Sequence, residues 1–359
     1  MHERQGDGGP SPCGYFYMRE YRNILIIKPG AVGDLLQLTP VMRELKRRFP
    51  EARITLLLGS KSSASMFLHN PHVHETIVFD RKGEHASLTG LLRLRGQIRR
   101  GGYDLVINFQ RSNLKAWLLA SAAFPCRVLV YRKARGRTVH AVLNHLEALA
   151  PLGIDPSSVD LSLRLDVGPE ESSFTEEIFD GAGFRNKTVI ALNPGASNRI
   201  KCWSPERFAV LANRLSGELG AGIVLVGAGF ERDLAERIRA GMTSEPVDLV
   251  GKTTLLQLGA VLSRCDLLVS GDTGPLHMAT SVGTPVAALF GAIEPLRTGP
   301  VGQGHRVIRH GELPCVPCNG RSCTNKILLE CMERITPDEV FETVSAMLEE
   351  RKGRASCGY

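Results

Sequence analysis

Short runs of consecutive apolar residues alternate along this chain with stretches whose apolar positions recur every three or four residues. Runs at residues 23–27, 53–58, 76–79, 103–109 and 127–131 have the length and branched apolar content of buried strands. Helical patterns lie between and after them at residues 34–48, 91–100, 114–123 and 139–149, the first with Pro40 expected to kink it. A loose, polar, Pro-containing stretch follows at residues 155–171. The rhythm then restarts, with strands expected at residues 188–192, 223–226, 248–250, 266–270 and 286–290. Helices are expected at residues 205–219, 231–240, 255–263 and 276–282. Strands that alternate with helices predict parallel sheets covered on both faces. The fold class is therefore α/β, with two doubly wound, Rossmann-like domains facing a central cleft. The expected boundaries are a disordered tail at 1–20, a domain at 21–168, a second domain at 187–335, and a C-terminal helix and tail at 336–359. Ligands in such sheets sit beyond the carboxyl ends of the strands, which places the active site between the domains.

A length of 359 residues suits two domains, and 43% hydrophobic with 23% charged residues is the balance of a soluble chain with substantial cores. The longest apolar candidate for a membrane span, residues 116–126, is too short. Residues 1–20 hold no apolar run of the kind a secretory signal needs. Nine cysteines, an odd number without an export signal, point to a reducing cytoplasm instead of a disulfide framework. Charge changes the picture more. The chain carries 44 basic against 37 acidic residues, and between Arg93 and Arg137 there are eleven Lys or Arg against one acid, Asp104. Such a segment is either a solvated face or a platform for an anionic partner, such as a phosphorylated glycolipid or the anionic inner surface of a membrane. Nucleic acid is disfavoured because no aromatic interleaving or recognised binding motif accompanies the charges.

Four turns could carry chemistry. Asp272-Thr273-Gly274-Pro275-Leu276-His277 follows a strand and opens a helix, with Pro275 in the first turn where its missing N–H costs nothing. The free N–H groups and the positive dipole end there form an anion site, although Asp272 or Thr273 reads equally as a helix cap and His277 as a packed helix histidine. Asn193-Pro194-Gly195-Ala196-Ser197, followed by Lys201, suits a diphosphate: Ser197 can donate a hydrogen bond and Lys201 a full charge. Trp203 reads as core. Gly227-Ala228-Gly229-Phe230-Glu231 lacks the third glycine of a dinucleotide fingerprint; Glu231 either accepts from ribose hydroxyls or favours the helix start. In the first half, Gly30-Ala31-Val32-Gly33-Asp34 lets backbone approach a ligand closely. Asp34 is by default a cap, yet a carboxylate projecting into the cleft is also a general base for a sugar hydroxyl.

In this order the motifs resemble glycosyltransferase family nine, the ADP-heptose:lipopolysaccharide heptosyltransferases, and in particular its heptosyltransferase II-like members. The resemblance rests on Lys28 through Gly33-Asp34 to Pro40, Asn-Pro-Gly-Ala-Ser, Lys201-x-Trp203-x-Pro205-Glu206, Asp-Thr-Gly-Pro-x-His and the Gly-Thr-Pro run from Gly283 to Gly291. It implies a GT-B fold with acceptor on the N-terminal half, ADP-heptose on the C-terminal half, and inversion at the anomeric carbon with no metal or other cofactor required. It implies Asp34 as catalytic base, Ser197 and Lys201 as diphosphate contacts, and Glu231 as ribose contact. Asp272, Thr273, Gly274 and His277 match the donor-binding helix start. The expected acceptor is the anionic inner core of lipopolysaccharide, and the expected location is cytoplasmic, with peripheral contact to the inner membrane. The alternative is a related GT-B transferase using another nucleotide sugar. A nicotinamide oxidoreductase lacks its fingerprint here, and a non-catalytic binding module would tolerate Asp34→Asn. Cys315, Cys318, Cys323 and Cys331 are spaced so that they could hold a metal or remain reduced structural thiols.

Overall fold

The computed structural model describes residues 20–110, 114–134, 136–318, 320 and 322–356. The tail expected at 1–20 therefore falls, but for Glu20, outside the described residues. The first half runs β1 (Asn23–Ile27), α1 (Val32–Leu36), α2 (Thr39–Arg48), β2 (Arg53–Leu58), α3 (Lys61–Ser65), β3 (Glu75–Val78), α4 (Leu88–Arg100), β4 (Leu105–Asn108), α5 (Leu114–Ala120), β5 (Arg127–Val130) and α6 (Ala141–Leu146). Its strands are all parallel, in the order β3-β2-β1-β4-β5. Alternate residues of β1 serve opposite faces, as the two-residue period of a strand requires. Ile24 and Ile26 join the core that faces the second half, while Leu25 and Ile27 join an outer layer with Leu94 and Ile98 of α4 and Leu119 of α5.

The second half begins with α7 (Pro169–Gly181), a helix the polar pattern conceals because it buries only Thr175 and Phe179. It continues β6 (Val189–Asn193), α8 (Pro205–Leu219), β7 (Gly222–Leu225), α9 (Arg232–Ala240), β8 (Val247–Asp248), α10 (Leu255–Arg264), β9 (Leu267–Gly271), α11 (Gly274–Ser281), β10 (Val286–Leu289), α12 (Pro295–Thr298), β11 (Arg306–Ile308), α13 (Glu330–Glu333) and α14 (Pro337–Ser356). These strands too are parallel, ordered β11-β10-β9-β6-β7-β8. The C-terminal helix α14 closes the far side of this sheet, burying Val340, Phe341 and Val344 beside α8. Trp203 is buried as expected and donates its indole N–H to the Ile335 carbonyl at 3.0 Å.

One helix expectation is corrected. Residues 34–48 are not one kinked helix: the chain breaks at Gln37-Leu38, and Pro40 sits in the first turn of α2, where its ring fits without loss of a hydrogen bond. The strand order reverses between β1 and β4 in one sheet and between β6 and β9 in the other. Crevices at the carboxyl ends of those strand pairs are the binding positions of doubly wound folds. One continuous apolar cluster joins Ile24, Ile26 and Leu36 of the first half to Leu276, Met278 and Ala279 of α11, so the two crevices are held face to face.

Candidate active site

The two halves touch most closely where α1 meets α11. A Cβ built on Gly33 would fall 2.5 Å from His277 Cδ2, so only glycine lets the α1 backbone lie against the imidazole. Gly274 opposes Val32 in the same junction. Gln37 Nε2 lies 3.5 Å from His277 Nε2, a long polar contact across the domain boundary. His277 is buried, and its Nδ1 has no hydrogen-bond partner. Burial, only partly opposed by Asp272, pushes its pKa down to about 4, so it is neutral at ordinary pH.

On the second side of this junction stands the start of α11. Its N-cap residue, Thr273, makes no side-chain cap to the helix. Its hydroxyl instead donates to Asn193 Oδ1 at 3.0 Å, as Ser270 Oγ does at 3.1 Å, while Asn193 Nδ2 donates to the Val226 carbonyl at 3.0 Å. Asn193 thereby ties the ends of β6 and β9 to the chain after β7 and leaves the first N–H groups of an eight-residue helix facing the cleft. Thr273 thus holds the N-cap position with its hydroxyl committed to Asn193 and not to the helix. Lys201 reaches the same point, with Nζ 2.6 Å from Asp272 Oδ2 and 3.3 Å from the Asp272 carbonyl. The ammonium is partly exposed, but its carboxylate partner is buried.

On the first side, Asp34 is the third residue of α1, whose N-cap is Ala31. Asp34 does not cap the helix: its side chain is 50% exposed, and its one ion pair among the described residues is with Lys28 Nζ at 3.4 Å. Beneath them lies His145, packed edge-on to Phe109 with ring centroids 5.3 Å apart. Burial, then repulsion from Lys28, lowers its pKa to about 4. Glu231 is also buried, braced between the Gly195 and Gly227 turns, and its Oε2 accepts the Ala228 N–H at 2.7 Å. Burial raises its pKa.

Two cavities open on opposite sides of the α1–α11 junction. One, about 360 Å³, is lined by Lys28, Asp34, His145, Lys201, Asp272 and Arg297. The other, about 620 Å³, is lined by glycines 227, 229 and 251 and by Phe230, Glu231 and Leu258. Gly33, Ser197, Thr273 and Gly274 border both. Every site residue expected from the sequence except the late cysteines therefore lines one or both cavities. Lys28, Gln37, His145, Phe230 and Arg297 join them in the linings, while Asn193 braces the strand ends behind. Lys28 and Asn193 belong to motifs already singled out; His145, Gln37 and Arg297 carry no local signal.

Cys315, Cys318, Cys323 and Cys331 surround a separate void of about 20 Å³. Burial, followed by the three neighbouring thiols, pushes the Cys331 pKa up. Cys323 Sγ accepts the Leu329 N–H at 3.3 Å. Among the described residues no group of three or more His, Cys, Asp or Glu side chains is arranged to hold a metal ion.

Paired doubly wound domains whose strand-end crevices face each other across an uncapped helix start define a GT-B fold. The chain belongs to glycosyltransferase family 9 (heptosyltransferase), whose family model matches residues 91–329. It is 27% identical over 295 residues to the lipopolysaccharide core heptosyltransferase OpsX of Haemophilus influenzae, covering 78% of this chain and 82% of that protein. It is 26% identical over 332 residues to lipooligosaccharide heptosyltransferase 2 of Campylobacter jejuni, covering 91% of this chain and 98% of the relative. Among solved structures, a family 9 glycosyltransferase from Veillonella parvula matches with TM-score 0.81 and 25% identity over 92% of this chain and 98% of its own.

Proposed function

We propose that this enzyme transfers heptose from ADP-heptose to an inner-core sugar of lipopolysaccharide, with inversion at the anomeric carbon. The observation that carries the reading is the meeting of two unlike cavities at one uncapped helix start. The larger, with glycine backbone, Phe230 and Leu258, suits a purine nucleoside; the smaller, with Asp34 and the cations Lys28 and Arg297, suits a charged sugar. A donor diphosphate at Thr273-Gly274 would lie where both open, within reach of Ser197 and Lys201. Asp272 holds Lys201 in place, and neutral His277 sets the distance between the halves. Glu231 commits Oε2 to the turn, which leaves Oε1 to accept from a ribose hydroxyl.

In the reaction, the acceptor oxygen forms its bond to the anomeric carbon as its proton passes to Asp34. The bond from that carbon to the diphosphate breaks on the opposite side, and the electron pair leaves with ADP. The α11 N–H groups and the Lys201 ammonium stabilise the charge that develops there. The relatives named for lipopolysaccharide and lipooligosaccharide support this acceptor class. Thermal-shift titration with ADP, UDP, GDP and NAD tests the donor: ADP alone should raise Tm strongly, and a larger shift with UDP or GDP would transfer the reading to another nucleotide sugar. The anomeric configuration of the product, read by NMR, tests inversion.

A further inference from the structure

The outer layer of the first half combines features the transfer chemistry leaves unused. Among the described residues, five of the thirteen exposed large hydrophobics fall on α4, α5 and the turn after them: Leu88, Leu92, Trp117, Leu118 and Phe124. Leu88 and Phe124 are 73% and 69% exposed. On α4, Leu88 and Leu92 stand one turn apart, and Arg95 and Arg99 continue the same side of the helix. Arg95 crosses to the Leu118 carbonyl and the Ser121 hydroxyl, which sets the two helices side by side. Their inner positions, Leu94, Ile98, Leu119 and Ala120, pack on the sheet, so the apolar outer positions have no partner in this core. The sequence of α4 contains four arginines and no acid, and α5 contains no acid. Among the described residues Arg93, Arg99 and Arg100 make no ion pair.

Scattered exposed leucines are ordinary; a patch joining Trp, Phe and Leu to unpaired arginines without acids is not. A protein partner would have to supply a surface both apolar and acidic at this density. An anionic bilayer supplies both at once: phosphate headgroups for the guanidinium groups and acyl chains for the rings, with Trp favoured at the boundary. We infer that α4, α5 and Phe124 form a docking face for an anionic phospholipid surface, in which Leu92, Trp117 and Phe124 enter the headgroup layer while Arg93 and Arg99 meet phosphates. Both α4 and α5 begin on the carboxyl-end side of the sheet and run back toward its amino ends, so the face spans the outer layer of the first half from Leu88 and Leu92 to Arg99 and Phe124. The inference rests on surface chemistry and stands apart from the identity of the sugar donor.

The chain has two tryptophans, and Trp203 is buried, so a lipid-induced change in emission reports Trp117. Full-length protein would be mixed with vesicles of phosphatidylglycerol and phosphatidylethanolamine, or of phosphatidylcholine alone. The expected result is co-sedimentation with the anionic vesicles only, a blue shift, and quenching by acyl-chain-brominated lipid. The Leu92→Ser/Phe124→Ser variant should bind at least about tenfold more weakly without losing Tm. Arg93→Glu/Arg99→Glu should lower partitioning by about fivefold or more for each reversed charge, and added salt should weaken the wild type. Absence of vesicle binding would overturn the inference, as would binding that both double variants retain. A Trp117 shift that follows protein concentration without lipid would assign the face to self-association instead. Retained ADP binding in the variants separates loss of docking from loss of fold.

Discussion

Asp34 and Lys201 stand on opposite sides of the same junction, and the proposed function gives them opposite tasks. Asp34 is half exposed and free of any capping duty, so its removal leaves α1 with the hydrogen bonds it already had. Asp34→Asn should cut kcat by about a hundredfold to ten-thousandfold while ADP still raises Tm as in the wild type. Near-normal turnover in that variant would move the base elsewhere. Lys201 meets Asp272 beside the start of α11, the point at which the proposed reading puts the leaving diphosphate. Lys201→Ala should lower kcat about a hundredfold or more. Because Asp272 is buried, that variant also strands a carboxylate, and a lowered Tm is expected with it. Single-turnover measurements on folded protein at low temperature separate the two effects.

At the scale of elements, the contact between α1 and α11 fixes how the crevices face. Gly33→Ala places a methyl group against His277, and interior overpacking of this kind costs about 1–3 kcal/mol. Urea unfolding should show that loss, and the KM values for donor and acceptor should rise together because the spacing of both cavities changes. Unaltered stability would mean that α11 yields without strain. The strands were legible because β1, β6 and β9 each hold a run of three or four consecutive apolar residues buried on both faces, a pattern few helices share. The edge strand β11 is three residues long with one buried, and nothing in so short a run announces a strand. Helix α7 escaped because its apolar residues are only Phe174, Ile178 and Phe179, set among acids and hydroxyls. In the site, turns at strand ends carried Asp34, Ser197, Asp272 and Thr273. Gln37 sits in the break between α1 and α2, and His145 is brought in by α6 from over a hundred residues away; long-range packing leaves no local mark.

For the whole molecule, two neutral histidines lie buried on either side of the cleft. Both have folded pKa values of about 4, below the ordinary 6.5, so the unfolded chain takes up protons first as pH falls. Stability should therefore hold above about pH 7 and decline from 6.5 to 4, by about 3 kcal/mol for each histidine over that window. Urea midpoints across the range should show the decline, and His145→Gln should flatten it by about half. A profile level down to pH 4.5 would require both imidazoles to gain partners on protonation.

The Lys201–Asp272 pair has a consequence for the order of events. The lysine is already answered by a carboxylate, so a lone phosphate meets Lys201 only in competition with Asp272. On the proposed reading, a nucleoside diphosphate overcomes that competition by engaging the helix start and the ammonium together, so the site would act as a coincidence detector for two phosphates on one ligand. The same carboxylate waits when the sugar has gone. On the same proposed reading, Asp272 reclaims the lysine as ADP loosens, so release of the anion has a built-in competitor.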